Sequence, residues 1–219
     1  MAVQVTPSKA RTQTGNDVRV MTQRLLVGVL ILAFFLRVWG INLGLPYLYH
    51  PDEPGYVGIA QTIFKTGDLN PHFFHYPSLF LYLNALVYIP YFWAGKLVGV
   101  FNLPTDVPYP IVIAMGVGKT PMSTTFLMGR TLTAIFGSLS VLLVFFVGRR
   151  LADERVGLLA SLLLTISPTN VQNSRFITPD TLLVFFLLLS FWGSSCILGE
   201  GKIRHYILAG VGAGLAMSS

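Results

Sequence analysis

The chain has 219 residues, 53% of them hydrophobic and 11% charged, with a mean hydropathy of +0.65. A soluble globular domain carries about 25% charged residues, so the composition excludes a water-soluble fold and requires an integral membrane protein. The net charge of +6 does not point to nucleic acid, because the basic residues gather at the ends of hydrophobic runs, where they orient a membrane protein.

Residues 1–23, rich in Thr, Gln, Lys and Arg, read as a disordered cytoplasmic tail. Residues 24–41 form the first span, with Arg19 and Arg24 at its inner end. The long polar lead and the lack of a small-x-small site argue against a cleaved signal peptide. Directly after the span comes His50-Pro51-Asp52-Glu53-Pro54. Carboxylates at a membrane face are expensive unless they do chemistry, bind a metal or pair with a cation. Asp52 also suits a helix N-cap, and Pro54 suits a first helical turn. Apolar spacing at Tyr56, Ile59, Ala60, Ile63 and Phe64 predicts an amphipathic helix over 55–66, stopped by Gly67. Asn70-Pro71 marks the turn after it.

His72 and His75 flank Phe73-Phe74. Their spacing matches no standard helical ligand pair. Interface anchoring competes there with metal binding, and the sequence requires no cofactor while leaving a divalent metal open. Residues 78–100 are long enough to span, but Pro90 interrupts them, and Tyr82, Tyr88, Tyr91 and Trp93 give them interfacial character. If they spanned, Arg149, Arg150 and Arg155 would lie outside. If they lie in the interface, the N-terminal tail, the 149–155 loop and the 202–204 loop are all cytoplasmic. Those three regions hold nine of the 15 Lys and Arg residues, so the positive-inside bias selects the second topology. Residues 42–125 are then one long outer loop containing interfacial helices. Within it Gly116-Val117-Gly118-Lys119-Thr120 imitates a phosphate loop, but Ile113 stands where the motif needs its first Gly.

Further spans are expected at 126–147 and 181–198, with a shorter apolar run at 156–171 and another beginning at 206–219. The last is shorter than the roughly 20 residues a span needs, which reads as the N-terminal part of a longer, all-α polytopic protein. Between two apolar segments lie Ser174-Arg175 and Asp180. An Arg at the interface can grip a phosphate bidentately; a snorkelling Arg followed by a helix cap is the plainer reading. Arg37 and Arg130 sit within or at the outer ends of spans. For Arg37, pairing with an acid such as Asp52 is expected, with phosphate binding as the functional alternative. The single cysteine, Cys196, excludes an internal disulfide and a cysteine metal cluster.

Taken in order, these residues resemble a family. Phe35-Leu36-Arg37 ends the first span. His50-Pro51-Asp52-Glu53 opens the outer loop, followed by Thr66-Gly67-Asp68 and Tyr76-Pro77-Ser78-Leu79. A longer stretch runs from Gly129-Arg130 through Ala134-Ile135-Phe136-Gly137 and Gly148-Arg149-Arg150-Leu151 to Gly157-Leu158-Leu159-Ala160, Ser167-Pro168, Ser174-Arg175 and Asp180. The pattern is similar to the N-terminal part of GT-C-type membrane glycosyltransferases, the group of protein O-mannosyltransferases and lipid A aminoarabinose transferases.

The resemblance implies an inverting transfer at the outer face, from a sugar on a polyprenyl-phosphate carrier to the hydroxyl of a lipid, glycan or protein acceptor. It implies Asp52 as catalytic base with Glu53 beside it, and Asp180 as a supporting acid. Arg175, Arg130 and His75 become the phosphate ligands. It also implies a multi-pass protein of the plasma membrane, and a fragment inactive by itself. Tyr76 stands where aminoarabinose transferases place a Lys, which argues against that sugar, and the 101–125 loop is long for the group. The rivals are a flippase or transporter of lipid-linked sugars, which would show ionisable residues at mid-membrane and an internal repeat, and a non-catalytic membrane subunit.

Overall fold

The computed structural model describes residues 9–47, 49–108 and 123–219. The described residues are helices and connecting turns: α1 (Lys9–Val38), α2 (Glu53–Thr66), α3 (Leu79–Leu86), α4 (Tyr88–Leu97), a 3-10 turn at Pro104–Asp106, α5 (Ser123–Leu151), α6 (Glu154–Ile166), α7 (Pro168–Asn173), α8 (Pro179–Glu200) and α9 (Ile203–Met217). The loop stretch Gly116–Thr120 lies outside the described residues. Three helices are long and apolar enough to cross a membrane: Arg19–Val38, Thr124–Leu151 and Pro179–Gly199. They coincide with three of the expected spans, and the all-α polytopic reading holds.

The helix boundaries have local causes. α1 begins at Lys9, inside the stretch expected as a disordered tail. Once an apolar span has nucleated a helix, extension by one residue at a time is cheap, and no Pro interrupts residues 9–23. α2 ends at Gly67, whose φ of 71° lets its N–H reach the carbonyl of Ile63. Pro90 has no N–H for the carbonyl of Leu86, and the chain bends at Val87 between α3 and α4. Residues 78–100 therefore make two short helices, each well under the roughly 20 residues of a span. The apolar run expected at 156–171 is likewise divided, at Ser167-Pro168, into α6 and α7.

Small residues set the closest helix crossings. A Cβ at Gly148 would sit 2.8 Å from the Cα of Gly157, so α5 and α6 touch backbone to backbone. At Gly193 and Gly212 a Cβ would meet the backbone of Ala209 and Ser190, which brings α8 against α9. The Ser190 hydroxyl donates to the Ala209 carbonyl at 2.9 Å across that crossing. Close approach over small residues is how helices pack where lipid offers no hydrophobic driving force.

One buried cluster joins the short helices to the spans: Tyr56, Val57 and Ala60 of α2, Phe80 and Leu81 of α3, Phe126 of α5 and Leu182 of α8. The Leu79 N–H also donates to the Ser218 carbonyl at 2.9 Å, pinning the start of α3 to the end of α9. The α2–α3 layer thus caps one end of the span bundle. At the other end Arg19, Arg149 and Glu154 line a shared cavity.

Candidate active site

The capped end gathers the C-terminus of α1, the N-terminus of α2, the first turns of α5, and the turn between α7 and α8. Its organising contact is buried. Arg130 Nε and Nη2 donate to the two oxygens of Glu53 at 2.8 and 2.6 Å. Arg130 Nη1 donates to the carbonyls of Ile41 and Leu43 at 2.7 and 2.9 Å. Glu53 Oε1 also accepts the N–H of Ile177 at 2.9 Å, and Thr133 Oγ1 donates to the carbonyls of Arg130 and Ser174. The pair ties four segments together, and neither side chain is solvent-exposed. Glu53, expected beside the base, and Arg130, expected on a phosphate, are thus placed on each other.

Asp52 is set differently. It occupies the N-cap position of α2, yet its carboxylate makes no capping hydrogen bond. Its φ and ψ of −85° and −26° are already helical, whereas a capping side chain works from extended backbone. The carboxylate is exposed and lines a cavity of about 210 Å³ with Gly55, Tyr56, Ile59, Phe73 and Tyr76. Burial pushes the Tyr56 phenol up to about 12, and Tyr76, Asp52 and Asp180 push it the same way. Asp180 is exposed in the first turn of α8, and its charge reaches the same phenol as that of Asp52. The two acids, 128 positions apart in the chain, thus act on one phenol from the same end of the bundle.

A larger cavity, about 420 Å³, lies at the same end of the bundle. It is lined by Gly40, Tyr49, Arg130, Gln172, Arg175 and Phe176, among others. Arg175 is half-buried, and its Nε and Nη2 donate to the Leu36 carbonyl at 3.2 and 2.7 Å, leaving Nη1 for a ligand. The His50 ring lies 5.0 Å from that of Phe176, and His50 Nδ1 accepts the Asp52 N–H at 3.4 Å. Phe176 thus lines the Arg175 cavity and touches His50, two residues before Asp52.

Two other expectations resolve differently. Arg37 does not pair with Asp52. It is fully buried, with Nη1 on the Ala33 carbonyl at 2.9 Å and Nη2 on Asn170 Oδ1. The bend at Pro168 turns α7 inward and brings Asn170 to it. His75 is exposed and packs edge-on against Phe73, beside the Asp52 cavity but not in its lining. Among the described residues no group of three or more His, Cys, Asp or Glu could hold a metal ion. Tyr56, His50 and Phe176 went unremarked in the sequence as site residues. Tyr56 had a signal: it lies four residues after Asp52, one helical turn on.

Comparison with known proteins agrees with this architecture. Residues 120–219 match the sequence model of the family dolichyl-phosphate-mannose-protein mannosyltransferase. The structure of the S. cerevisiae protein O-mannosyltransferase Pmt1-Pmt2 complex bound to the sugar donor superposes with a TM-score of 0.66 at 20% identity. That match covers 91% of this chain and 25% of the solved one, so the chain spans a quarter of its relative's length. No curated protein matches the chain. Residues 120–219, a little under half of the chain, thus carry the sequence pattern of that mannosyltransferase family, and nine-tenths of the chain shares the fold of the solved complex.

Proposed function

We propose that the chain forms the catalytic N-terminal part of an inverting glycosyltransferase, which moves a sugar from a polyprenyl-phosphate carrier to an acceptor hydroxyl at the outer membrane face. The observation that carries this reading is the Asp52 carboxylate. It is exposed in a cavity, free of any capping bond, and its charge acts with that of Asp180 on Tyr56, while a second cavity at the same end holds a half-free arginine.

In the proposed reaction the acceptor hydroxyl enters the smaller cavity and gives its proton to Asp52 as its oxygen bonds to the anomeric carbon. The bond from that carbon to the carrier's phosphate oxygen breaks on the opposite face, through an oxocarbenium-like transition state. The phosphate leaves with the bonding electron pair, and Arg175 Nη1 neutralises its charge from the larger cavity. Asp180 orients the acceptor, the neutral Tyr56 phenol offers it a hydrogen bond, and the Glu53–Arg130 pair holds the frame. A divalent metal would need ligands beyond Asp52 and Asp180, and no step here depends on one. The interfacial α3–α4 hairpin, with Trp93, Leu97 and Val98 exposed, offers the prenyl chain an apolar bed.

A flippase would place its ionisable groups along a path through the membrane, whereas Asp52, Asp180 and Arg175 lie at one end of the bundle. The test is transfer by the full-length protein from a polyprenyl-phosphate-linked sugar. Asp52→Asn is expected to lower kcat by about 10²–10⁴-fold with little change in KM for the donor. Wild-type turnover in that variant would remove Asp52 from the chemistry.

A further inference from the structure

The larger cavity carries more positive charge than the donor proposed for it can cancel. Three guanidinium groups stand at it or behind its wall, from Arg130, Arg175 and Arg37. Arg130 is neutralised by Glu53. Arg175 meets the Leu36 carbonyl. Arg37 is fully buried; it meets the Ala33 carbonyl and Asn170 Oδ1, and its Nε has no partner. Among the described residues the ion pairs are His72 with Asp68 and Arg130 with Glu53, so neither Arg37 nor Arg175 has a carboxylate there. The two arginines are neighbours. Arg175 bonds the carbonyl of the residue before Arg37. A Cβ on Gly137 would stand 2.8 Å from that of Ser174 and 2.9 Å from Arg37 Nε. Asn170, which holds Arg37, lies between the lining residues Pro168 and Val171.

The rest of the chain supplies no acid for them. It has nine acids, and residues 1–8 and 109–122 hold none. Asp17 lies about 30 Å along α1 from Arg37, and Glu200 about 30 Å along α8 from Asp180, at 1.5 Å per residue. Asp153 and Glu154 follow the far end of α5. Asp68 is taken by His72, and Asp106 by the N–H groups of its own turn. Asp52 and Asp180 remain, and they act on Tyr56. Two like charges in a low-dielectric setting repel unless an anion is shared between them, and charge at membrane depth is costly without a task. The donor, a phosphate diester, brings one negative charge against these two. When its glycosyl–oxygen bond breaks, the electron pair stays on the phosphate oxygen and the acceptor's proton goes to Asp52. The carrier is then a monoester, with two charges above a second pKa of about 6. The surplus of Arg37 and Arg175 matches that product.

On the reading that the donor's phosphate enters this cavity, we propose that Arg37 and Arg175 together select the released carrier, a phosphate dianion, over the sugar-loaded diester, so that spent carrier competes with donor for its own site. Arg175 touches the phosphate; Arg37 acts through its field from behind the wall. The same preference favours the charge that develops as the bond breaks, at the cost of slow release. The full-length protein in detergent is titrated with farnesyl phosphate, a monoester, and with its methyl diester, which keeps one charge throughout. At about pH 7.5 the monoester is expected to bind at least roughly tenfold more tightly. Near pH 5, where it too carries one charge, the two are expected to bind alike. Asn170→Asp sets a carboxylate on Arg37 at unchanged size, and is expected to cut the monoester's advantage about threefold; an Arg37 that only packs would leave that ratio alone. If this variant does not fold, Arg175→Gln supplies the comparison, in the same direction. In the transfer assay farnesyl phosphate is expected to raise the apparent KM for the donor at unchanged kcat. Equal affinity of the two probes near pH 7.5, an advantage left intact in the variant, or inhibition that lowers kcat alone would overturn the proposal while the donor site stands. Binding of neither probe would take the phosphate out of this cavity, and the donor reading would fall with it.

Discussion

The carboxylate of Glu53 and the guanidinium of Arg130 meet in a two-bond fork, at 2.8 and 2.6 Å, although 77 positions separate them in the chain. Both are fully desolvated. Removing one partner of such a pair strands a buried charge and costs about 3–5 kcal/mol. Glu53→Ala and Arg130→Ala are each expected to destabilise the protein by about that amount, read by thermal or denaturant unfolding in detergent. Arg130→Lys should recover little, because an ammonium cannot serve the fork and the carbonyls of Ile41 and Leu43 together. Unfolding midpoints that match the wild type would show that the pair does not hold the frame.

Asp52→Asn offers the opposite profile. Its carboxylate is exposed and makes no capping bond, so stability is expected to stay within about 0.5 kcal/mol of wild type while transfer is lost. Measuring both in one preparation separates the two members of the dipeptide.

Tyr56 makes a prediction for alkaline solution. Its phenol is held at about 12, against an ordinary 10.0, by burial first and then by Tyr76, Asp52 and Asp180. Above pH 10 the unfolded chain gives up this proton while the folded protein keeps it. Unfolding then releases a proton, so stability falls as pH rises from about 10 to about 12, and levels off beyond. Tyr56→Phe should lessen that alkaline loss and remove one late-titrating tyrosinate from the ultraviolet difference spectrum. A tyrosinate lost instead at the ordinary value would contradict the burial of the ring.

The glycines divide by what surrounds them. A Cβ at Gly148 would stand 2.8 Å from the Gly157 Cα, and backbone cannot move aside as a side chain can. Gly148→Ala is expected to destabilise the α5–α6 crossing by about 1–3 kcal/mol. Gly58, inside α2, meets nothing within 4 Å, so Gly58→Ala is expected to stabilise by about 0.4–1 kcal/mol. Equal unfolding midpoints for the two variants would deny the tight crossing.

Sidedness is open to direct labelling. With Cys196→Ser as background, single cysteines are placed at Thr105, Asp153 and Asn173, all exposed. An impermeant thiol reagent on intact cells is expected to reach 105 and 173 but not 153. Labelling of 153 instead would turn the acidic end inward and end the proposal of outer-face transfer.

Much of this was legible in the chain. The spans announced themselves by hydropathy, and Pro54 and Gly67 marked the ends of α2 because proline and glycine act locally. The break in residues 78–100 was legible in Pro90, which divides them into α3 and α4. What the sequence could not show was which acid is inside. Asp52 and Glu53 look alike as a dipeptide, and only the approach of α5 decides that one is buried. Arg37 was misread for the same reason: its partner, Asn170, lies 133 positions on and reaches it through the bend at Pro168. Long-range polar pairing leaves no periodic trace.

The order of the two acids has a consequence of its own. Neighbouring residues on a helix project about 100° apart, so Asp-Glu at the start of α2 sends one carboxylate into the cleft and the other into the bundle. Glu53 has one methylene more than an aspartate, and it spans to Arg130 and the Ile177 amide together. Transposing the dipeptide to Glu-Asp would keep composition, charge and hydropathy unchanged. It would leave the inner acid too short for its fork and the outer one too long for its cleft, so a protein identical by every bulk measure would be both looser and silent.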